Sequence, residues 1–469
     1  GSNIKLYLTK LNGSEEEPLM TPETYHEEAE ENTYTGRPAG EMSLYKGSMN
    51  SSENNNYRLR MYVDENYNPQ GDGGNLQFSI KINVYGKDGD KYVPLTTQEI
   101  LEDNELQEEK TNMFNYASNG SYISSFTSSG PTYGNEPSQV TNGLFEAEDE
   151  DGTSYYFRGA VTTNNVQFGE YTEDYYVYVM RYGVVDGAIF AAFHDLASCE
   201  EYKKSDSLAN ECLQEKLASK GDKMYWKIVR VNGDGSLRLI YNGTSSSPSN
   251  SELASSFSVG YVPYNLKDNE PKYTGYTYDN GTDSFIKREV DTWYQNTLGK
   301  SNYDRMVTSG RFCSDSSGYR EETMMGGSVF ASFDRLASVF GKLMGLEMQE
   351  NVTPTLKCPT TSESYGGSYR LKAGLITADE LVLAGESFGV ISNSYLTAGD
   401  NEFLWYWSMT PSSEDGGYEN MVRVYCENAS LANLGAFNID LSLRPVINVT
   451  TNNGFASGDG TAQNPYILN

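Results

Sequence analysis

Histidine is almost absent from this chain: there are two in 469 residues, His26 and His194. A Ser-His-Asp or Cys-His nucleophile would have to be built on one of them. His26 lies in Tyr-His-Glu-Glu within an acidic loop and reads as a solvated surface residue. His194, between Ala191-Ala192-Phe193 and Asp195, reads as an ordinary half-buried one. Cysteine is also scarce. Five thiols allow at most two disulfides, and their spacing forms no CxxC metal knuckle. No apolar run approaches the 18 residues that read as a spanning helix, since the best window, around Val184 to Phe193, holds about ten. Basic residues are outnumbered 65 to 35, and a net charge of −30 repels phosphate backbones, which excludes a nucleic-acid partner. There is no HExxH, GxSxG, Walker A loop or dinucleotide fingerprint. Gly299-Lys300-Ser301 ends like a phosphate loop, but Tyr294 stands where that loop requires a glycine, so the phosphate reading fails.

What is present in quantity is tyrosine, 37 of them, within an aromatic content of 13%. Those rings supply burial that the low hydrophobic fraction of 37% would not, and they argue for folded cores. The composition changes near residue 150. Residues 1–150 carry 26 acidic and 10 basic side chains, a net of −16, with no Cys and no Trp. The remainder nets −14 and holds all five Cys and all four Trp. Tyr57, Leu59, Met61 and Val63 alternate with Arg58, Arg60 and Tyr62, and Phe78 to Tyr85 alternate likewise, as half-buried antiparallel strands do. Residues 1–95 are therefore expected to form an antiparallel β-sandwich of stalk-like character. Residues 96–142 read as a linker, with a short helix capped by Thr96 and Glu99. The opening Gly1-Ser2 reads as a cloning remnant, with a signal peptide or anchor expected upstream of it.

Residues 143–469 read as a larger β-rich α+β domain. Trp226 to Tyr241, turning at Asn232-Gly-Asp-Gly235, is a hairpin signature. Ile286, Val290, Trp293 and Leu298 have helical spacing and stop at Gly299. Val329, Phe333, Leu336, Phe340 and Leu343 repeat the pattern and stop at Gly345. Thr377 and Glu380 form a capping box closed by Gly385. The run Glu148-Asp149-Glu150-Asp151 reads as a solvated face without the spacing of a calcium loop, and no metal or cofactor is expected. Cys199 with Cys212 and Cys313 with Cys358 are the expected disulfides, leaving Cys426 buried; five reduced thiols are the alternative. The densest aromatic group, Phe403 to Trp407, places Trp405 and Trp407 on one strand face and Tyr406 on the other. As a ligand site, the two tryptophans would stack a sugar or peptide, with Glu414 and Asp415 as acceptors and Arg423 on the following strand. As a core element, both would be buried.

Several motifs together carry a resemblance. They are Thr153-Ser-Tyr-Tyr-Phe-Arg-Gly159, Tyr225-Trp-Lys-Ile-Val-Arg-Val-Asn-Gly-Asp-Gly-Ser236, Leu356-Lys-Cys-Pro359 and Gly374-Leu-Ile-Thr-Ala-Asp-Glu380. Trp405-Tyr-Trp-Ser-Met-Thr-Pro411, Leu443-Arg-Pro-Val-Ile-Asn448, Gly458-Asp-Gly-Thr461 and Asn464-Pro-Tyr466 complete the series. Over residues 143–469 the chain resembles extracellular proteins of Gram-positive gut bacteria. Their C-terminal domains are similar to C-type-lectin-like folds of the formylglycine-generating-enzyme and major-paralogous-domain groups. Against that pattern, about 171–222 looks like an insertion, and neither the paired cysteines of the enzyme nor the calcium-lectin signatures are found. The resemblance implies a non-catalytic protein of the bacterial cell surface, extracellular, binding a host or microbial glycan or protein through a lectin-like head. Membrane attachment would come only through an upstream anchor, and the expected state is a monomer or weak oligomer. A pilus-like or wall-assembly subunit is the alternative, and a carbohydrate-active hydrolase using two carboxylates is a third reading.

Overall fold

A computed structural model of the chain describes residues 4–12, 15–20, 56–63, 94–109, 113–117, 121–135, 142–181, 189–205, 211–247, 257–266, 273, 275–277, 281–318, 320–322, 327–359, 367–389, 394–397, 405–415, 421–427, 430–436, 439–450 and 454–468. The chain divides into two compact units, residues 1–89 and 90–469. In the first, the described strands form one antiparallel sheet in the order Glu15–Met20, Ile4–Asn12, Asn56–Val63. Leu6 pairs with Met61 and Leu8 with Leu59, which puts the alternating apolar set on one face. The second expected strand, Phe78 to Tyr85, lies outside the described residues.

The second unit is β-rich α+β, built on two ten-stranded sheets. At the centre of one, Lys223–Val231 pairs with Leu237–Tyr241 in the expected hairpin. Asn232 N–H reaches Ser236 O at 2.8 Å across the turn. Gly233 packs so tightly there that a Cβ would fall 2.3 Å from Asp149 Oδ1. Leu237–Tyr241 continues to Val446–Val449, and the far side of the sheet runs through Gly152–Arg158 to Gly143–Asp149. Trp226, Tyr241 and the helical Trp293 form an edge-to-face cluster with centroids 5.4 to 6.3 Å apart. That cluster seats the Phe285–Asn296 helix, which buries Ile286, Val290 and Trp293 and is capped by Ser284. Its expected last contact, Leu298, falls in the following 3-10 turn.

Several expectations are corrected. The linker region packs into the second unit instead: Ile100 is in its main core, and Leu106–Gln107 pairs with Gly143–Asp149. The Thr96–Glu99 capping box does not form. Pro94 precedes the Leu95–Asp103 helix, while Glu99 Oε2 accepts from Phe455 N at 2.7 Å. The single helix expected from Val329 to Leu343 splits into Ala331–Leu336 and Ser338–Leu343, with Val329 ending a strand. The Thr377–Glu380 capping box is present, and its helix ends at Gly385 with φ of +115°. The 171–222 stretch supplies the Tyr175–Arg181, Ile189–Phe193 and Cys212–Ala218 strands of the second sheet, with Val177 and Val179 in the core.

Candidate functional site

The Tyr406–Asp415 strand runs inside the second sheet, paired antiparallel with Met421–Glu427 and, at Tyr406, parallel with Ser442. Both of its faces are covered. Trp407 is fully buried, its indole N–H donates to Val262 O at 2.9 Å, and Tyr264 meets its ring edge-on at 5.8 Å. Tyr406, on the opposite face, is equally buried and donates to Leu396 O. This corrects the stacking-platform reading for Trp407, which no ligand can reach. Trp405 precedes the strand and is half-buried against the core. Its Nε1 is shielded and has no hydrogen-bond partner among the described residues.

Glu414 and Asp415 lie at the other end of this strand, where Glu414 pairs with Ser328 and Val422. Arg423 stands opposite Ser413 and Gly435. The side chains of Glu414, Asp415 and Arg423 lie outside the described residues. At about 3.3 Å per residue, the seven steps from Trp407 to Glu414 span roughly 20 Å. One sugar ring cannot touch both ends. Replacing Trp407 by Ala should cost about 3–5 kcal/mol of unfolding free energy in a urea titration, and Trp405→Ala roughly half that or less. Equal losses would contradict the burial difference.

The polar centre of the unit is a layer of paired arginines and carboxylates. Arg230 Nη1 donates to Asp149 Oδ2 at 2.7 Å and its Nε to Glu380 Oε1 at 3.0 Å. Arg238 Nε lies 2.5 Å from the same Glu380 oxygen, Nη1 donates to Arg311 O, and the guanidinium covers the Phe312 ring at 4.2 Å. Gly233 N donates to Asp149 Oδ2, and Asp151 N and Gly152 N donate to Oδ1. A second group joins Arg335 to Asp379 in a two-pronged pair at 2.9 and 2.7 Å and to Asp315 at 2.5 Å. Burial alone would push the Glu380 carboxyl up, but Arg238 and Arg230 hold it below its ordinary value. Burial lowers Arg238 to about 10 against the pull of Glu380.

The acidic run at 148–151 is thus not simply a solvated face. Asp149 is buried, Glu150 accepts from Cys358 N at 2.6 Å, and Asp151 pairs with Arg311. The signal for this layer in the sequence is Arg238 inside Leu-Arg-Leu-Ile-Tyr, a strand of which every residue is buried. Beside the layer lies a cleft bordered by Arg238, Glu380, Arg311, Lys357 and the Cys313–Cys358 pair, with a volume of about 20 Å³. That is room for about one water, not a substrate.

Both expected disulfides are formed, Cys199–Cys212 and Cys313–Cys358, and Cys426 is buried outside both bridges. His194 is buried, with Tyr175 Oη 3.0 Å from Nδ1; His26 lies outside the described residues. Among the described residues no cluster of three His, Cys, Asp or Glu could hold a metal ion, and no helix is long and apolar enough to cross a membrane. Comparison with protein-family models, curated proteins and solved structures finds no match to this chain.

Proposed function

We propose that this chain is a non-catalytic protein of the bacterial cell surface whose residues 90–469 form a rigid head presenting a binding surface to a glycan or protein. The observation that carries this reading is how the chemistry-bearing side chains are used. Arg230, Arg238, Arg335, Glu380, Asp149 and Asp379 are ion-paired with one another inside the fold, leaving a scaffold stapled by two disulfides that fit an oxidising, extracellular setting. The motif order over residues 143–469 adds the C-type-lectin-like assignment to this reading, and Trp405, half-buried, is the member of the Trp405/Trp407 pair that is not fully buried. Glycan-array and matrix-protein binding by the whole chain tests it. Binding that weakens in Trp405→Ala supports the reading, and no binding to any panel by the wild type overturns it.

The subunit reading draws on the Cys212–Ala218 strand, which ends a sheet and leaves Leu213 43% exposed. Self-association that rises with concentration in light scattering, together with failure to bind either panel, would favour assembly over ligand capture.

A further inference from the structure

His194 and Glu289 meet where the Ile189–Phe193 strand turns into the Leu196–Ser205 helix, which Cys199–Cys212 ties to the sheet edge. His194 N–H donates to Glu289 Oε2 at 2.7 Å, and the Ser198 side chain hydrogen-bonds the same carboxyl. Asp195 Oδ1 accepts from Ser198 N at 2.7 Å, closing the first helical turn. Both His194 and Glu289 are buried, and each keeps one shielded atom, His194 Nε2 and Glu289 Oε1, without a hydrogen-bond partner among the described residues. Two such orphans at one junction are costly unless both side chains stay uncharged.

Of the ionisable groups nearby, Asp195 opposes a charge on Glu289 and Arg288 favours one, but burial outweighs both. Tyr175, on His194 Nδ1, is held protonated by burial and by Tyr171, Glu289 and Asp195. Arg288, the helical neighbour of Glu289, points to the exposed Glu201 in a pair at 2.9 Å. Tyr202 donates to Asp440, and Lys203 lies 3.7 Å from Glu200 at the surface.

We propose that His194 and Glu289 are a proton-compensated pair, a neutral base beside a neutral acid, that keeps the stapled 196–205 segment equally closed from mildly acidic to neutral pH. Burial lowers His194 from 6.5 to about 3 and raises Glu289 from 4.5 to about 7. Opening the junction returns both to their ordinary values. Depressed His194 favours the closed form above 6.5 and loses that advantage as pH falls toward 3. Raised Glu289 favours it below 4.5 and loses the advantage as pH rises toward 7. Between 4.5 and 6.5 opening takes up one proton at the imidazole and releases one at the carboxyl, so the two slopes cancel.

Hydrogen exchange of the 194–205 amides, corrected for intrinsic rates, tests this at pH 5 and pH 8 in wild type, Glu289→Gln and His194→Gln. Wild-type protection should change only about twofold. Glu289→Gln exposes the imidazole slope, and protection should rise on the order of 30-fold toward pH 8; His194→Gln exposes the carboxyl slope, and protection should fall on the order of 70-fold. Each variant is read separately, so the loss of one to misfolding leaves the other decisive. Slopes of the same sign, a flat profile in either folded variant, or a wild-type change of tenfold or more overturns the proposal.

Discussion

Glu380→Gln should lower the unfolding free energy of the 90–469 unit by about 3–5 kcal/mol, because it strips the only carboxylate paired with Arg238 among the described residues. Arg230 keeps Asp149, but Arg238 is left inside the protein with a backbone acceptor and the Phe312 ring. The substitution also reaches the backbone. Glu380 Oε2 accepts from Thr377 N as half of the capping box, so a glutamine set the wrong way round presents a donor to a donor. A surface pair makes the contrast: breaking Lys216–Asp174, both about two-fifths exposed and screened by water, should leave the urea midpoint nearly unchanged. The pH dependence has a definite sign. The Glu380 carboxyl is depressed, so its contribution is complete above 4.5 and lost as acid carries the pH down through its lowered value. Urea titrations at pH 7 and pH 3.5 should therefore show the gap between wild type and variant narrowing in acid. A gap below about 1 kcal/mol at pH 7 would sink the claim that this layer supports the fold.

Removing the Cys313–Cys358 bridge by double alanine substitution should cost about 4 kcal/mol, the loop-closure value for a separation of 45 residues. The same arithmetic gives about 3 kcal/mol for Cys199–Cys212, separated by 13. The larger loss has a structural partner. Cys313 sits on the Gly310–Ser314 strand, whose Arg311 carbonyl receives Arg238, and the Cys358 amide donates to Glu150. Cutting the bridge frees the wall of the arginine layer as well as the chain ends. Urea midpoints of the two double-alanine variants, compared with wild type in oxidising buffer, measure the order. A Cys199–Cys212 variant that proves the more damaging would show that local strain or residual unfolded structure outweighs loop length at these sites.

How much of this could be read in advance depended on how local each signal was. The Asn232-Gly-Asp-Gly235 turn, the Thr377–Glu380 box and the spacing of Ile286, Val290 and Trp293 need only neighbours within a few residues, and all three elements formed. The 331–343 region misled because its apolar period is helical throughout, while the Gly327–Val329 strand binds Ser413 and Glu414 and claims the first of those residues for the sheet. Glu99 was legible as a capping partner, yet Phe455, 356 positions away, takes its carboxylate.

The candidate site turned on the same distinction. Composition alone determined that histidine chemistry had two places to go, that the chain is strongly anionic, and that five cysteines allowed two bridges with one thiol over. Strand alternation determined that Trp407 and Tyr406 face opposite ways. Whether either face met water was outside its reach, because exposure depends on what a distant segment lays over the strand: Tyr264 and Val262 on one side, Leu396 on the other. Tertiary structure also turned Asp149 from one of four adjacent acids into the partner of a buried arginine 81 residues away. A charge has no fixed role until the fold sets its distance from the opposite sign, and that distance is a property of the packed chain.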